Sequence, residues 1–98
     1  MAQPTSGQIT VTTAGTEVQG PDIKAQGFFI KGKTTNTGLG YVGNDGEGAV
    51  SSTTGFALAA GDTIYYELGG NGNLNVLWFD AAVNGEGFCW LAVNPWGA

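Results

Sequence analysis

The chain consists of short runs in which apolar and polar residues alternate, separated by segments rich in glycine, asparagine and threonine. Alternation with a period of two is typical of β-strands that bury one face, and the segments between the runs are typical of tight turns. No window keeps the longer period of an amphipathic helix. The predicted strands cover residues 8–12, 16–19, 23–33, 39–42, 56–58, 63–68, 74–82 and 88–93.

This number of short strands, about seven to eight at close spacing, predicts an all-β fold. Of a β-sandwich and a small barrel, we expect a small antiparallel β-sandwich with no significant helix. The 98 residues support a single modest core and therefore one domain. We assign residues 1–7 to an N-terminal arm, 8–93 to the β-sandwich domain and 94–98 to a C-terminal tail. Within 23–33 the alternation slips at Gly27, which predicts a β-bulge there.

Two segments near the C-terminus, 76–79 and 88–93, are apolar at nearly every position. The residues 84–87 between them carry a hairpin signal. A strand with one face in water alternates, so continuous apolarity indicates that both faces are covered. A two-layer sandwich covers one face by its second sheet. The other face is covered either within the chain or by a partner chain, and we favour the partner.

These apolar strands and the tail are where we predict docking anchors, namely Phe79, Leu91 and Trp96. Trp96 lies near the C-terminus, and large aromatic side chains carry much of the binding energy of protein interfaces. Trp78 and Trp90 are expected in the core or in an interface. Because a monomer would expose too much of the apolar strands, we expect self-association, with a trimer favoured.

Charge and cysteine content narrow the possible partners. The net charge is −5, with three lysines, no arginine and no histidine, so the chain lacks the basic surface of nucleic-acid binders and of polybasic membrane proteins. No apolar stretch approaches the roughly 20 residues of a membrane helix, and the polar N-terminus lacks the apolar run of a signal peptide. Cys89 is the single cysteine, which excludes an internal disulfide and fits synthesis in a reducing cytoplasm.

Several short motifs resemble catalytic or binding sites. Residues 27–34 match the phosphate-loop expression and 38–43 match the dinucleotide fingerprint, but neither leads into the helix whose N-terminus binds phosphate. With no histidine, a nucleophile lacks its usual base and zinc lacks ligands, and the turn 44–47 misses the calcium-loop spacing. We therefore expect no enzyme activity, cofactor or metal. A glycosidase needs a pair of carboxylates, and the candidates for such a pair are Asp62, Glu67, Asp80 and Glu86.

Four ordered segments, 9–16, 36–43, 55–62 and 74–87, resemble small virion proteins that decorate or cement the heads of tailed bacteriophages. The resemblance spans roughly residues 9–93. It implies a β-sandwich that docks on the major capsid protein at the outer capsid surface of the virion, often as an oligomer, after synthesis in the cytoplasm of the host bacterium. Related modules in phage necks, tails and fibres leave an alternative, the binding of a host glycan.

Overall fold

The computed structural model describes residues 5–70 and 72–95. Within these residues the chain is all-β, with eight strands and two single-turn 3-10 helices at Asp45–Glu47 and Leu74–Val76. This confirms the predicted fold class. The described residues contain no helix with the length and hydrophobicity of a membrane span. The strands are β1 (Ser6–Thr10), β2 (Val18–Gln19), β3 (Ala25–Gly32), β4 (Gly40–Gly43), β5 (Phe56–Leu58), β6 (Thr63–Glu67), β7 (Trp78–Ala81) and β8 (Gly87–Pro95).

The strands form two antiparallel sheets that pack as a small β-sandwich. The first sheet has the order β1-β8-β3-β6, and the second has the order β2-β7-β4-β5. Each sheet therefore combines strands from both halves of the chain, which is the strand order of a jelly roll. The shortest dimension of the molecule is 19 Å, as expected for two sheets stacked about 10 Å apart with side chains on both outer faces.

Aromatic side chains join the two sheets across the core. Phe79 of β7 packs on Phe88 of β8 with ring centroids 5.0 Å apart, and both are completely buried. Within the first sheet, Phe28 meets Trp90 edge to face at 6.3 Å. Full burial of one such side chain contributes about 1.5–3 kcal/mol. The aliphatic residues buried around them are Ile9, Val11, Ile30, Val42, Leu58, Leu74 and Leu77.

Three boundary predictions differ from the structure. β1 begins inside the predicted N-terminal arm, because it pairs with β8 from Ser6 opposite Leu91 to Thr10 opposite Gly87. β8 continues into the predicted tail, because it pairs with β3 as far as Ala25 opposite Pro95. The single strand predicted over 74–82 is a 3-10 turn followed by β7. Asn73 causes this difference, since its side chain accepts a hydrogen bond from the backbone N–H of Asn75 and caps the turn.

The β-bulge predicted at Gly27 is wrong. Gly27 lies opposite Glu67 in β6 and opposite Val93 in β8. The β3–β8 register is the same before Gly27, at Ala25 opposite Pro95, as after it, at Phe28 opposite Ala92. The alternation slips in the sequence because a glycine takes an outward position that the Tyr65 ring covers. A Cβ atom on Gly27 would lie 2.2 Å from the Tyr65 hydroxyl.

Candidate docking surface

A row of three large apolar side chains crosses the outer face of the first sheet. Phe29 on β3 lies opposite Tyr65 on β6 and opposite Leu91 on β8, so the three residues form one line across three strands. We call this line the docking row. Its side chains are 41%, 45% and 42% exposed, respectively, and the Phe29 and Tyr65 rings touch with centroids 4.8 Å apart. The docking row is therefore a preformed apolar ridge in contact with solvent.

The rows on either side add apolar surface and few charges. Val93, Gly27 and Glu67 lie on one side of the docking row, and the other side has Cys89 and Lys31. Val93 and Cys89 are half-buried, whereas Lys31 and Glu67 are exposed. Beyond Leu91 the edge strand β1 supplies polar residues. An apolar centre with a polar border is the usual composition of a protein–protein interface.

The outer face of the second sheet is covered by the chain itself. Residues 44–55 cross that face, where Val50 is 2% exposed and Gly55 packs against Tyr41. The carboxylate of Glu17 fixes this segment by accepting a hydrogen bond of 2.7 Å from the backbone N–H of Val50. No segment among residues 5–70 and 72–95 provides the same cover for the docking row. The two outer faces of the sandwich therefore differ in their need for a partner.

The predicted anchors fall in different places. Leu91 lies on the outer face of the first sheet, in the docking row, and its role as an anchor stays a prediction. Phe79 is wrong as a surface anchor, because it points inward from β7 and has no exposed surface. Trp96 lies outside the described residues. Trp90 is buried in the core, and Trp78 is half-buried on the outer face of the second sheet.

Two residues of the docking row, Phe29 and Tyr65, were not predicted as anchors. The sequence did carry a signal for them. In β3 the core residues Phe28 and Ile30 place Phe29 on the opposite face, and in β6 the same alternation places Tyr65 outward. What the sequence could not provide is the pairing of β3 with both β6 and β8, which brings these side chains into line with Leu91.

The four carboxylates that were candidates for a glycosidase pair do not converge on one site. Asp62 accepts a hydrogen bond from the backbone N–H of Ala59, and Asp80 accepts from Gly15 and Ala81. Glu86 and Glu67 lie elsewhere, at a turn and on the docking face. Hydrogen bonding to backbone N–H groups is a structural use of these carboxylates, because it fixes loops and leaves fewer lone pairs for a substrate.

Three hydrogen bonds hold the carboxylate of Glu86. It accepts hydrogen bonds from the backbone N–H of Thr37 at 2.6 Å, from the Thr37 hydroxyl at 2.8 Å and from the backbone N–H of Gly38 at 3.0 Å. These donors, led by the two backbone N–H groups, lower the pKa of Glu86 below its ordinary value. The charged carboxylate therefore holds the 36–38 turn against the β7–β8 hairpin.

Glu17 shows the opposite shift. Burial raises its pKa, and a hydrogen bond with Asp45 together with the charges of Asp45 and Asp80 adds to this effect, while the bond from Val50 lowers it. Of these carboxylates, Asp80 lines a cavity of about 430 Å³, together with Tyr41, Ser51 and Ser52. Among the described residues, no group of three or more acidic or cysteine side chains has a geometry that could hold a metal ion.

The segments that match nucleotide-binding motifs are extended. Residues 27–32 belong to β3, and 40–43 form β4. In the described structure each continues into a turn or loop rather than into an α-helix, so neither has the helix N-terminus on which those motifs depend.

These features define a small jelly-roll β-sandwich with one outer face covered by its own loop and one apolar face open. No protein-family model, curated protein or solved structure matched the chain. The functional argument therefore depends on the surface itself.

Proposed function

We propose that this protein is a non-enzymatic structural component of a phage virion that decorates the outer capsid surface. It docks on the shell of the major capsid protein through the docking row and its flanks. The observation that supports this proposal is the uncovered row of Phe29, Tyr65 and Leu91, three aligned apolar side chains on the outer face of the first sheet. The covered face of the second sheet would then point away from the shell.

The chemistry of the surface determines how such docking behaves. Apolar contact dominates the docking row, and only Lys31 and Glu67 carry charge beside it. The bond to the shell should therefore depend little on ionic strength, unlike docking between oppositely charged surfaces. A net charge of −5 also disfavours contact with packaged nucleic acid and suits the outside of the shell. Binding to the assembled shell alone stabilises that state by mass action.

The alternative, a neck, tail or fibre module that binds a host glycan, has one feature in its favour. Phe56 and Tyr66 line an open cleft beside β6, and aromatic rings stack on sugars. However, sugar recognition also needs free polar groups. Asn44 also lines this cleft. Its side-chain amide already donates a hydrogen bond to the carbonyl of Val76 and accepts one from the N–H of Gly46. We therefore prefer decoration.

The decisive experiment compares wild-type protein with two matched variants on undecorated heads. Leu91→Ser removes one residue of the docking row, and Val83→Ser removes an equally exposed apolar side chain in the 82–85 turn. Wild-type protein should bind and raise the temperature at which heads disrupt. Leu91→Ser should bind about 30-fold more weakly, which corresponds to about 2 kcal/mol. Val83→Ser should bind like the wild type.

Two results would contradict the proposal. One is wild-type protein that neither binds the heads nor protects them from heat. The other is an equal loss in Leu91→Ser and Val83→Ser. Raising the salt concentration tenfold should change wild-type binding only slightly, which separates apolar docking from electrostatic docking. Trp96→Ala, measured in the same assay, tests the predicted tail anchor separately.

A further inference from the structure

β6 is an open edge of the first sheet without the usual protection. It pairs with β3 on one side, and no described strand pairs with its other side. Proteins commonly protect such edges with lysine, proline or a bulge. The five residues of β6, Thr63–Glu67, contain no lysine or proline, and their register with β3 is regular. The edge is therefore able to accept another strand.

The hydrogen bonds of β3 show which backbone groups are open. Gly32 donates its N–H to the carbonyl of Asp62, and Leu68 donates its N–H to the carbonyl of Gln26. In an antiparallel pair the bonded positions alternate, so Ile64 and the other even-numbered residues of β6 bond to β3. The N–H and C=O groups of Thr63, Tyr65 and Glu67 consequently point to the open side.

An apolar cleft of about 390 Å³ lies beside this edge, between β6 of the first sheet and β5 of the second. Ile64 and Tyr66 line it from β6, and Phe56 lines it from β5. Phe56 is 61% exposed and Tyr66 is 41% exposed. At this end of the sandwich, each sheet therefore exposes a large aromatic side chain to solvent. A second strand at β6 would cover them.

We propose that this edge binds a second copy of the same chain, with β6 pairing antiparallel to β6 of that copy. The two-fold axis passes through the pair formed by Tyr65 and Tyr65 of the second copy. In this register Thr63 lies opposite Glu67 of the second copy, so all three outward-pointing residues of each β6 meet outward-pointing residues. The result is a dimer in place of the trimer that the sequence favours.

Strand length and charge favour this register, which is the one that pairs all five residues of β6 with the five of the second copy. Glu67 is the single charged residue of β6. A register centred on Glu67 would place two carboxylates opposite each other, which is destabilising. A register centred on Thr63 would run into the turn at Gly61, whose N–H is already bonded to Gly32. The Tyr65-centred register instead places each Glu67 opposite a threonine, and it places Ile64 beside Tyr66 of the second copy.

The same symmetry closes the two clefts. A two-fold axis perpendicular to a continuous sheet brings both copies of β5 to the same side, so the open clefts face each other. Apolar side chains of one copy then cover those of the other, which removes apolar surface from water. The inference stands independently of the proposed function, because it concerns an edge and a cleft that the docking row does not use, apart from the position of Tyr65.

Sedimentation equilibrium of the full-length protein tests the association. Thr63→Pro removes an outward-pointing N–H that makes no bond to β3, so the variant should fold with an unchanged circular dichroism spectrum. Each dimer loses two symmetric hydrogen bonds, and the dimer dissociation constant should rise about tenfold or more. Thr63→Val keeps the N–H and should dimerise like the wild type. A monomeric or trimeric wild type, or a dimer unaffected by Thr63→Pro, would overturn the proposal.

Cross-linking tests the register. Residues on the axis form a hydrogen-bonded pair with Cα atoms about 5.5 Å apart, within the range of a disulfide. Tyr65→Cys combined with Cys89→Ser should therefore give a disulfide-linked dimer on mild oxidation. Thr63→Cys with Cys89→Ser should not, because the two copies of residue 63 lie about 13 Å apart along the strands. Efficient cross-linking at 63 but not at 65 would refute this register. Either result would leave the proposed docking function standing, because the binding of Leu91→Ser to heads tests that function separately.

Discussion

Two glycines that each lie in a strand against an aromatic ring, Gly27 and Gly40, give a sharp test of the packing. A Cβ atom on Gly27 would lie 2.2 Å from the Tyr65 hydroxyl, and one on Gly40 would lie 2.5 Å from the Phe88 ring. The distances are alike, but the obstacles are not. Tyr65 is 45% exposed, whereas Phe88 is completely buried between the two sheets. Gly27→Ala and Gly40→Ala should therefore differ strongly in their effect on stability.

The expected magnitudes follow from what can move. In Gly40→Ala the Phe88 ring has no free space, so the variant should lose about 1–3 kcal/mol of unfolding free energy, the usual cost of overpacking. In Gly27→Ala the Tyr65 ring can swing into solvent. Alanine also loses less conformational freedom on folding than glycine, by about 0.5–1 kcal/mol, which offsets part of the cost. The change at Gly27 should stay within about 1 kcal/mol.

Urea denaturation followed by tryptophan fluorescence measures both variants. An equal loss in the two would refute the packing argument, as would a Gly27→Ala variant that is the less stable of the pair. Gly27→Ala also displaces Tyr65 from Phe29 without removing either side chain. It should therefore weaken docking on heads while leaving the stability of the fold nearly unchanged, a combination that a general folding defect would not produce.

Asn36 is buried and bonds both backbone groups of Gly87, so Asn36→Ala should cost about 2–4 kcal/mol in the same urea assay, and an effect like that of an exposed alanine substitution would contradict this. The pKa of Glu86 is lowered in the folded state, so its contribution to stability is present above the ordinary glutamate pKa and is lost as the pH falls through the lowered value. The pKa of Glu17 is raised, so its charge opposes folding at neutral pH and this cost disappears in acid. We therefore expect that, in unfolding experiments between pH 3 and 7, Glu86→Gln is less stable than the wild type at neutral pH and Glu17→Gln is more stable. Changes in stability of the same sign in the two variants would refute the assignment.

The strands were predictable from sequence where a strand buries one face, because apolar and polar residues then alternate along it. β3 and β6 follow that rule, and β8 was correctly identified as apolar on both faces. Its inner residues Phe88 and Trp90 pack in the core, whereas Cys89 and Leu91 form part of the open outer face. Phe79 was misassigned because the run 76–79 is apolar at every position. The charge of Asp80, which shares a face with Trp78, is the local feature that places Phe79 on the core face.

The cover on the second sheet could not be predicted, because it depends on contacts distant in sequence. Residues 44–55 are polar and glycine-rich, and their sequence indicates only a loop. Their position depends on Glu17 bonding to Val50 and on Gly55 fitting against Tyr41. Strand order has the same character, since Phe29 lines up with Leu91 and Tyr65 only after β3 is inserted between β8 and β6. The docking row is therefore a product of topology.

The proposed dimer and the proposed docking surface reinforce each other geometrically. Pairing through β6 would extend the first sheet from four strands to eight, with both docking rows on the same outer face. Once one row has bound the shell, the second is held close to its own site, so it binds as an intramolecular event at high effective concentration. Modest affinity for each row is then sufficient for stable decoration. It follows that Thr63→Pro, which spares every residue of the docking row, should weaken binding to heads far more than binding to an isolated capsid subunit, where each dimer has only one row in use.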